Sequence, residues 1–186
     1  HRGIFNGWNE TSNTIIEGFT ITNCYANGGG MYTTESSPTV KDCTFATNTA
    51  IHNGGGMHNN HSSPVLTNCT FTNNNAGAFG GGMSNDINSS PTLTNCTFID
   101  NLSNLQGGGM YSDYDSSPSL INCIFKNNNA LDGGGGMYNV DDSDGEIPTL
   151  TDTLVCGNAP DQIIGDWANG GGNTIADECP PSETDS

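Results

Sequence analysis

The sequence predicts an all-β fold, a right-handed parallel β-helix, and two observations lead to this prediction. The motif Gly-Gly-Gly-Met recurs in steps of 26 or 27 residues, ending at Met31, Met57, Met83, Met110 and Met137. Between these motifs apolar and polar residues alternate with period two, and no stretch has the spacing of an amphipathic helix. A repeat of short strands and turns that stacks on itself is a β-solenoid.

Three further residue types recur in register with the glycine motif. Phenylalanine lies twelve residues before each Met, and cysteine lies two residues before four of these Phe. Proline marks another column. The columns are Phe19, Phe45, Phe71, Phe98 and Phe125; Cys43, Cys69, Cys96 and Cys123; and Pro38, Pro64, Pro91, Pro118 and Pro148. Several columns that keep one register predict a ladder of equivalent coils.

The spacing within one coil locates its turns. Leu93 and Cys96 are three residues apart, so the alternation breaks and the chain must turn at Thr94 and Asn95. Asn tolerates the left-handed backbone that tight turns need. Each coil of 26–27 residues is therefore predicted to hold three short strands, Gly-Gly-Met-x-Asn, Pro-x-Leu and Cys-x-Phe-x. Parallel crossovers are right-handed.

The same pattern predicts the interior. Phe, Met, Leu and Cys should stack inward, with the Cys ladder acting as small hydrophobic side chains rather than as a metal string or redox centre. A column of asparagines should hydrogen-bond from coil to coil and satisfy the turn backbone. Its members are Asn48, Asn74, Asn101 and Asn128.

The two ends of the chain differ from the middle. Residues 1–156 are predicted to form the solenoid, residues 157–179 a capping wrap, and residues 180–186 a polar tail. Ile163, Ile164 and Trp167 would form the apolar lid of the wrap. Cys156 and Cys179 are interpreted as the two cysteines outside the repeat, so we expect them to form a disulfide that holds the wrap.

A family resemblance follows from the motif Phe-x-x-Asn, which recurs at Phe45–Asn48, Phe71–Asn74, Phe98–Asn101 and Phe125–Asn128, each followed by a glycine triplet and an apolar residue. It resembles the repeats of the polymorphic outer-membrane protein family and, more broadly, secreted right-handed parallel β-helix regions, over residues 15–150. The chain has Gly-Gly-Gly-Met where that family usually has Gly-Gly-Ala and an aliphatic residue. The resemblance implies extracellular presentation or adhesion, and it implies no reaction.

Charge excludes several functions. The chain contains three basic residues (Lys and Arg) and twenty acidic residues (Asp and Glu), so its net charge is −17. Nucleic-acid binding and docking on anionic membranes both need clustered cations, and no apolar run approaches the roughly 18 residues of a membrane span. A uronate lyase needs a basic residue to abstract a proton and a cation beside the substrate carboxylate. The basic residues of this chain are Arg2, Lys41 and Lys126, which lie far apart in the repeat. The sequence therefore favours a non-enzymatic protein, with a polysaccharide-degrading enzyme as the less favoured alternative.

Two candidate sites follow from the columns. Acidic residues gather in the loops after the Met strands, and their crowding favours calcium, which takes six to eight oxygen ligands. The candidate calcium ligands are Asp113, Asp115, Asp141, Asp142 and Asp144. The column after Met should face outward as a stripe that could stack on sugar rings, and its candidate glycan contacts are Tyr32, His58, Tyr111 and Tyr138.

These observations predict an extracellular or cell-surface structural protein, a subunit of a fibre or surface stalk. It would associate through its coil ends, with another copy or with upstream coils of a longer parent chain. The alternative is a carbohydrate- or surface-binding adhesin module. No cofactor other than calcium is suggested.

Calcium binding to the acidic loops should stabilise the native state. We expect the melting temperature to rise in millimolar calcium relative to EDTA. Magnesium at the same concentration serves as the control for ionic strength, and identical melting curves in calcium and EDTA would contradict the prediction.

Overall fold

The predicted all-β architecture is confirmed by the computed structural model, which describes residues 3–7, 13–113, 115–140 and 146–181. Every regular element in these ranges is a β-strand, and all strand pairs are parallel. The chain winds as a solenoid that passes through three seven-stranded sheets and one five-stranded sheet. No helix in the described ranges is long and apolar enough to cross a membrane.

The strands follow one another coil by coil. The first three coils contain β1 (Ile4–Gly7), β2 (Ile15–Glu17), β3 (Thr20–Thr22), β4 (Tyr25–Ala26), β5 (Met31–Thr34), β6 (Thr39–Lys41), β7 (Thr44–Ala46), β8 (Thr49–Ala50), β9 (Met57–Asn60), β10 (Val65–Thr67), β11 (Thr70–Thr72) and β12 (Asn75–Ala76). The next two contain β13 (Met83–Asp86), β14 (Thr92–Thr94), β15 (Thr97–Ile99), β16 (Leu102–Ser103), β17 (Met110–Ser112), β18 (Ser119–Ile121), β19 (Ile124–Lys126) and β20 (Asn129–Ala130). The last two contain β21 (Met137–Asn139), β22 (Thr149–Thr151), β23 (Leu154–Cys156), β24 (Ile163–Ile164), β25 (Ala168–Gly171) and β26 (Thr174–Ala176).

Three of the four sheets are the predicted ones. We name them by their inward residue: the Met sheet (β1, β5, β9, β13, β17, β21, β24), the Leu sheet (β2, β6, β10, β14, β18, β22, β25) and the Phe sheet (β3, β7, β11, β15, β19, β23, β26). The fourth, the short sheet, consists of the two-residue strands β4, β8, β12, β16 and β20. The sequence predicted three strands per coil, so this fourth strand was not expected. It pairs because the asparagine column just before it holds successive coils in register, as in the pairing of Ala76 with Ser103.

The core consists of ladders of identical side chains. Phe71 and Phe98 are fully buried, and their rings stack with centroids 4.6 Å apart and planes 3° from parallel. Met, Leu and Cys ladders fill the remaining interior, and their members are also nearly completely buried. The inward columns predicted from the sequence are confirmed from Val40 to Val155, because in-register pairing places equivalent side chains directly above one another.

The glycine triplets are required by the close approach of successive coils. A Cβ on Gly82 would lie 2.5 Å from the carbonyl oxygen of Gly109 and 2.7 Å from the Phe98 ring. Gly80 has a φ of 66°, the left-handed backbone that favours glycine. The triplet therefore turns the chain and lets the Phe ladder pack against bare backbone.

The asparagine ladder is present as predicted. Asn74 donates from Nδ2 to the Phe45 carbonyl at 2.9 Å, and its Oδ1 accepts from the Asn48 backbone N–H at 3.0 Å. Asn101 repeats this pattern one coil later. At the C-terminal end Gln162 terminates the ladder, since its Oε1 accepts from Asn158 Nδ2 at 2.9 Å. The predicted turn residue Asn95 has a φ of 55°.

One inward assignment was wrong in the first coil. Phe19 was aligned with the Phe ladder, but its side chain is 58% exposed and Ile21 pairs with Phe45 instead. The connection between the short sheet and the Met sheet is shorter in this coil, where it runs from Ala26 to Met31, than in the next, where it runs from Ala50 to Met57. An alignment counted back from Met31 therefore places the wrong residue in the Phe ladder. For the same reason Cys24 falls in the asparagine column, where its N–H donates to Asn48 Oδ1.

The segment 157–179, predicted as a capping wrap, contains three strands that extend the solenoid by a further coil. Its strands β24, β25 and β26 pair in parallel with the preceding coil. Ile163 and Trp167 pack against the core cluster, so this coil covers the last layer. Coil geometry persists because unpaired backbone groups at the end of the sheets are satisfied most directly by one more parallel strand.

A disulfide joins Cys156 and Cys179. Cys156 lies within the repeat, at the end of β23, where it pairs with Lys126. The described cysteines Cys24, Cys43, Cys69, Cys96 and Cys123 are free thiols.

Truncating the Phe ladder should destabilise the fold strongly. Phe71→Ala is expected to lower the free energy of unfolding by about 3–5 kcal/mol, because it removes a fully buried ring and leaves a cavity. Urea unfolding followed by circular dichroism measures this. Thr72→Ala, on the outer face of the same strand, is the matched control, and equal losses for the two variants would contradict the assigned faces.

Removing the disulfide should loosen the last coil. Cys179→Ser is expected to lower the stability by on the order of 3 kcal/mol, the value for a loop of this size in the chain-entropy account. Mass mapping after alkylation of the native, oxidised protein should find Cys156 and Cys179 unlabelled by virtue of their bond. Alkylation of both residues under these conditions would show that the bond does not form in solution.

Candidate functional site

The outer face of the Met sheet carries the predicted stripe. The residues after each inward Met stack in register, and Tyr32 lies against His58 with ring centroids 5.0 Å apart. The ring centroids of Tyr111 and Tyr138 are 5.9 Å apart. The four residues named from the sequence therefore share one column, which Phe5 extends beside Tyr32.

The stripe is not uniformly exposed, and here the prediction was wrong for one residue. Tyr111 is only 8% exposed, because Phe79 from the preceding turn stacks on its ring at 4.6 Å. Ser84, buried and without a ring, occupies the column between His58 and Tyr111. The stripe is thus interrupted at Ser84 and at Tyr111 rather than continuous along the sheet.

A polar cluster forms beside His58. The Asp86 carboxylate pairs through Oδ2 with His58 Nε2 at 2.8 Å and accepts a hydrogen bond from Asn53 Nδ2 at 2.9 Å. Its Oδ1 accepts from the Ser84 hydroxyl at 2.6 Å. Asp86 belongs to β13 rather than to the loop after it, so its carboxylate is held by a strand and by the neighbouring coil.

The pKa of Asp86 reflects this environment. Burial by itself raises the pKa of the carboxyl, but the hydrogen bond and charge of His58, with the hydrogen bonds of Ser84 and Asn53, outweigh burial. The pKa of Asp86 is consequently lowered from its usual 3.8, and the group is ionised at neutral pH.

A recess of about 290 Å³ opens over this cluster. It is lined by Asn27, Tyr32, His52, Asn53 and His58. Gly28 makes the recess possible, because its φ is 63° and a Cβ there would lie 2.9 Å from Tyr32 Cβ. We name this feature, with Asp86 and Ser84 behind it, the His58 recess.

Sequence reasoning missed the part of the His58 recess contributed by Asn53, Ser84 and Asp86. The available signal was the interrupted column, where Ser84 stands in place of a ring and an acid follows two residues later. The neighbouring His61 does not line the recess, and its Nδ1 lies 3.0 Å from Asn60 Oδ1.

The calcium ligands fall partly outside the described residues. Asp113 and Asp115 lie within them, whereas Asp141, Asp142 and Asp144 do not. Across residues 3–7, 13–113, 115–140 and 146–181, no group of three or more His, Cys, Asp or Glu could hold a metal ion. Calcium binding stays a prediction.

The thiols of the Cys ladder are buried and hydrogen-bonded. Cys43 Sγ donates to the Lys41 carbonyl at 3.1 Å, and the buried Cys96 donates to Thr94. Burial is the largest influence on Cys43 and raises the pKa of its thiol. Hydrogen bonds with Cys123 and Cys69, together with burial, raise the pKa of Cys96. The hydrogen bond with Cys96 lowers the pKa of Cys69 and of Cys123. All four ladder thiols are buried in the core, where they act as packing groups.

The N-terminal end of the solenoid is the second notable surface. An apolar recess of about 500 Å³ is lined there by Gly3, Ile4, Phe19, Thr20, Ile21, Thr22 and Cys24. Phe19, which lines this recess, is 58% exposed. Strands β1 to β4 are the outer strands of their sheets at this end.

The family assignment agrees with this architecture. Residues 3–154 match the model of the right-handed β-helix region, which covers most of the chain. The chain therefore belongs to the right-handed β-helix family. Comparison with curated proteins and with solved structures gave no match.

The Asp86 interactions should make stability depend on acid pH. A carboxyl whose pKa is lowered on folding stabilises the native state above its unfolded-state pKa of about 3.8, and this contribution is lost as the pH falls through the lower folded value. Asp86→Asn should therefore lose stability at pH 7 and show a smaller further loss in acid than the wild type. Urea unfolding at a series of pH values measures this, with Asp161→Asn as an exposed control; parallel pH profiles for wild type and Asp86→Asn would contradict the assignment.

Proposed function

We propose that this chain is a non-enzymatic structural subunit of an extracellular or cell-surface assembly and that it joins another β-coil through its N-terminal end. The observation that carries the proposal is the apolar recess at the N-terminal end of the described solenoid, which is lined by Phe19, a residue more than half exposed. Exposed edge strands above an apolar layer are the features that strand addition uses.

The two ends of the solenoid differ in a way that supports the proposal. At the C-terminal end the asparagine ladder is terminated by Gln162, and the last coil is tied by the Cys156–Cys179 disulfide. The residues around it are exposed and acidic, including Asp166 and Asp177. The N-terminal end has no comparable polar terminus among the described residues, since the ladder there ends on the Cys24 backbone N–H.

The occupant we propose is a parallel or antiparallel β-coil with apolar inward residues. Another copy of the chain, or upstream coils of a longer parent, would meet this requirement. An isologous contact between two N-terminal ends closes as a dimer, whereas a head-to-tail contact continues as a fibre. The disulfide and the resemblance to surface-presented repeats support an extracellular location.

The non-enzymatic part of the proposal is supported by the chemistry of the His58 recess. Ser84 donates its hydroxyl hydrogen to Asp86, which also pairs with His58, so the three do not form a relay from serine through histidine to aspartate. No lysine or arginine lines the recess.

Association should depend on the N-terminal surface. We expect sedimentation to show oligomers that grow with protein concentration, and Phe19→Asp should abolish them because it places a charge in the apolar contact. Ile175→Asp, at an exposed site on the last coil, is the matched control. Cys24 gives an independent readout, because its thiol lines the recess and should react more slowly with maleimide in the oligomer.

A wild-type chain that stays monomeric at all concentrations, with Cys24 equally reactive throughout, would contradict the proposal. Loss of association in Ile175→Asp, with Phe19→Asp unaffected, would assign the contact to the other end.

A second candidate function is carbohydrate or surface binding by the Met-sheet stripe. The specific observation that favours it is the His58 recess, in which aromatic faces and amide groups converge on one concave surface. Sites of this composition bind small ligands.

A further inference from the structure

The geometry points to a binding site for a single uncharged sugar ring in the His58 recess, with Asp86 as the residue that orients its hydrogen-bonding groups. This inference rests on the second proposed function and specifies its ligand. It differs from an extended stripe along the sheet, because the surface around Tyr111 is covered by Phe79.

Asp86 fixes the orientation of two groups at once. An ionised carboxylate can only accept hydrogen bonds, so His58 Nε2 must carry a proton. In the neutral form of the ring this leaves Nδ1 as an acceptor. By the same argument, the Asn53 Nδ2 group donates to Asp86, and the amide oxygen Oδ1 remains as the acceptor of this side chain. Asp86 therefore orients His58 and Asn53 so that each can accept a hydrogen bond from a hydroxyl group of the ligand.

The charge of the recess excludes an anionic ligand. Its lining contains no lysine or arginine, Asp86 lies behind it in ionised form, and the whole chain carries a charge of −17. A uronate or sulfated sugar would bring a second negative charge beside Asp86 with no lysine or arginine to balance it.

A cationic ligand is also disfavoured, for a different reason. Both carboxylate oxygens of Asp86 already accept hydrogen bonds from the protein, and its side chain is only 13% exposed. An ammonium or guanidinium group would be desolvated without a direct ion pair. The groups that remain are neutral dipoles and ring faces, which are complementary to the hydroxyls and C–H faces of an uncharged sugar.

The size and shape of the recess fit one ring rather than a chain. Its volume of about 290 Å³ is at the lower end of small-molecule sites, which start near roughly 300 Å³. Tyr32 supplies the ring face on one side, tilted by 58° to the plane of His58. His52 and Asn27, which are exposed, flank the opening.

The test titrates the full chain with four probes by saturation-transfer NMR and calorimetry. The probes are methyl β-D-glucopyranoside, methyl β-D-galactopyranoside, the methyl glycoside of galacturonic acid and arginine methyl ester. We expect at least one neutral glycoside to bind, the uronide to bind at least about tenfold more weakly, and the arginine ester not to bind.

Variants then test the role of Asp86. Asp86→Asn should weaken binding of the neutral glycoside by about tenfold, and Asp161→Asn, which removes the same charge far from the recess, should not. Nitrogen chemical shifts of His58 should report a proton on Nε2 in the wild type and a changed tautomer population in Asp86→Asn. Asn53→Ala, which leaves the His58–Asp86 pair in place, tests the site if Asp86→Asn does not fold.

Each outcome decides a different part of the inference. Equal or stronger binding of the uronide, or binding of the arginine ester alone, overturns the ligand class. Neutral glycoside binding that neither Asp86→Asn nor Asn53→Ala changes overturns the orienting role and leaves the second proposed function standing. Absence of binding by every probe overturns the inference together with that function, whereas assembly through the N-terminal end is measured separately.

Discussion

Backbone hydrogen bonding between successive coils is the constraint on which this structure depends, because it is satisfied only while every column stays in register. The bonds run along the solenoid axis, as from Met83 N–H to the Gly109 carbonyl at 3.0 Å. Identical side chains are then forced on top of one another, and only types that tolerate self-stacking persist inside. Phe rings meet this condition by parallel stacking, glycine by having no Cβ, and asparagine by donating and accepting along the same line.

The ladders also give the solenoid a polarity that a single coil lacks. Each asparagine accepts from the coil before it, so the ladder needs an acceptor at its C-terminal end and a donor at its N-terminal end. Gln162 supplies the acceptor within this chain. The first coil supplies the Cys24 N–H as donor and the Ile21 carbonyl as acceptor, beside an apolar recess. The asymmetry that supports assembly therefore follows from the directionality of the amide side chain.

Residues on the outer face of the solenoid need not stack on identical side chains. Distinct surface features therefore occur where the outward residues differ from the repeat. Outward residues contact solvent and their two neighbours, so substitution there does not disturb the core. In the Met sheet, Ser84 replaces a ring, Phe79 covers Tyr111, and Asp86 gathers three hydrogen-bond donors from two coils and a turn. The His58 recess exists because these departures coincide on adjacent coils.

The sequence by itself determined the repeat, the inward Phe, Met, Leu and Cys ladders, the asparagine ladder and the left-handed turn at Asn95, because each follows from spacing within one coil. Only the tertiary structure decided the exposure of Phe19, the pairing of the last coil, the burial of Tyr111 and the cluster around Asp86. The exposure of Phe19 depended on a shortened connection before Met31, which places Ile21 in the Phe column although Phe19 keeps the repeat spacing to Met31. Tyr111 and Asp86 depended on which turn residue of one coil lies over which strand of the next. The repeat period determines which residues stack on their own equivalents in the next coil. Contacts between residues of different columns depend instead on the path of the turns, which the repeat period does not specify.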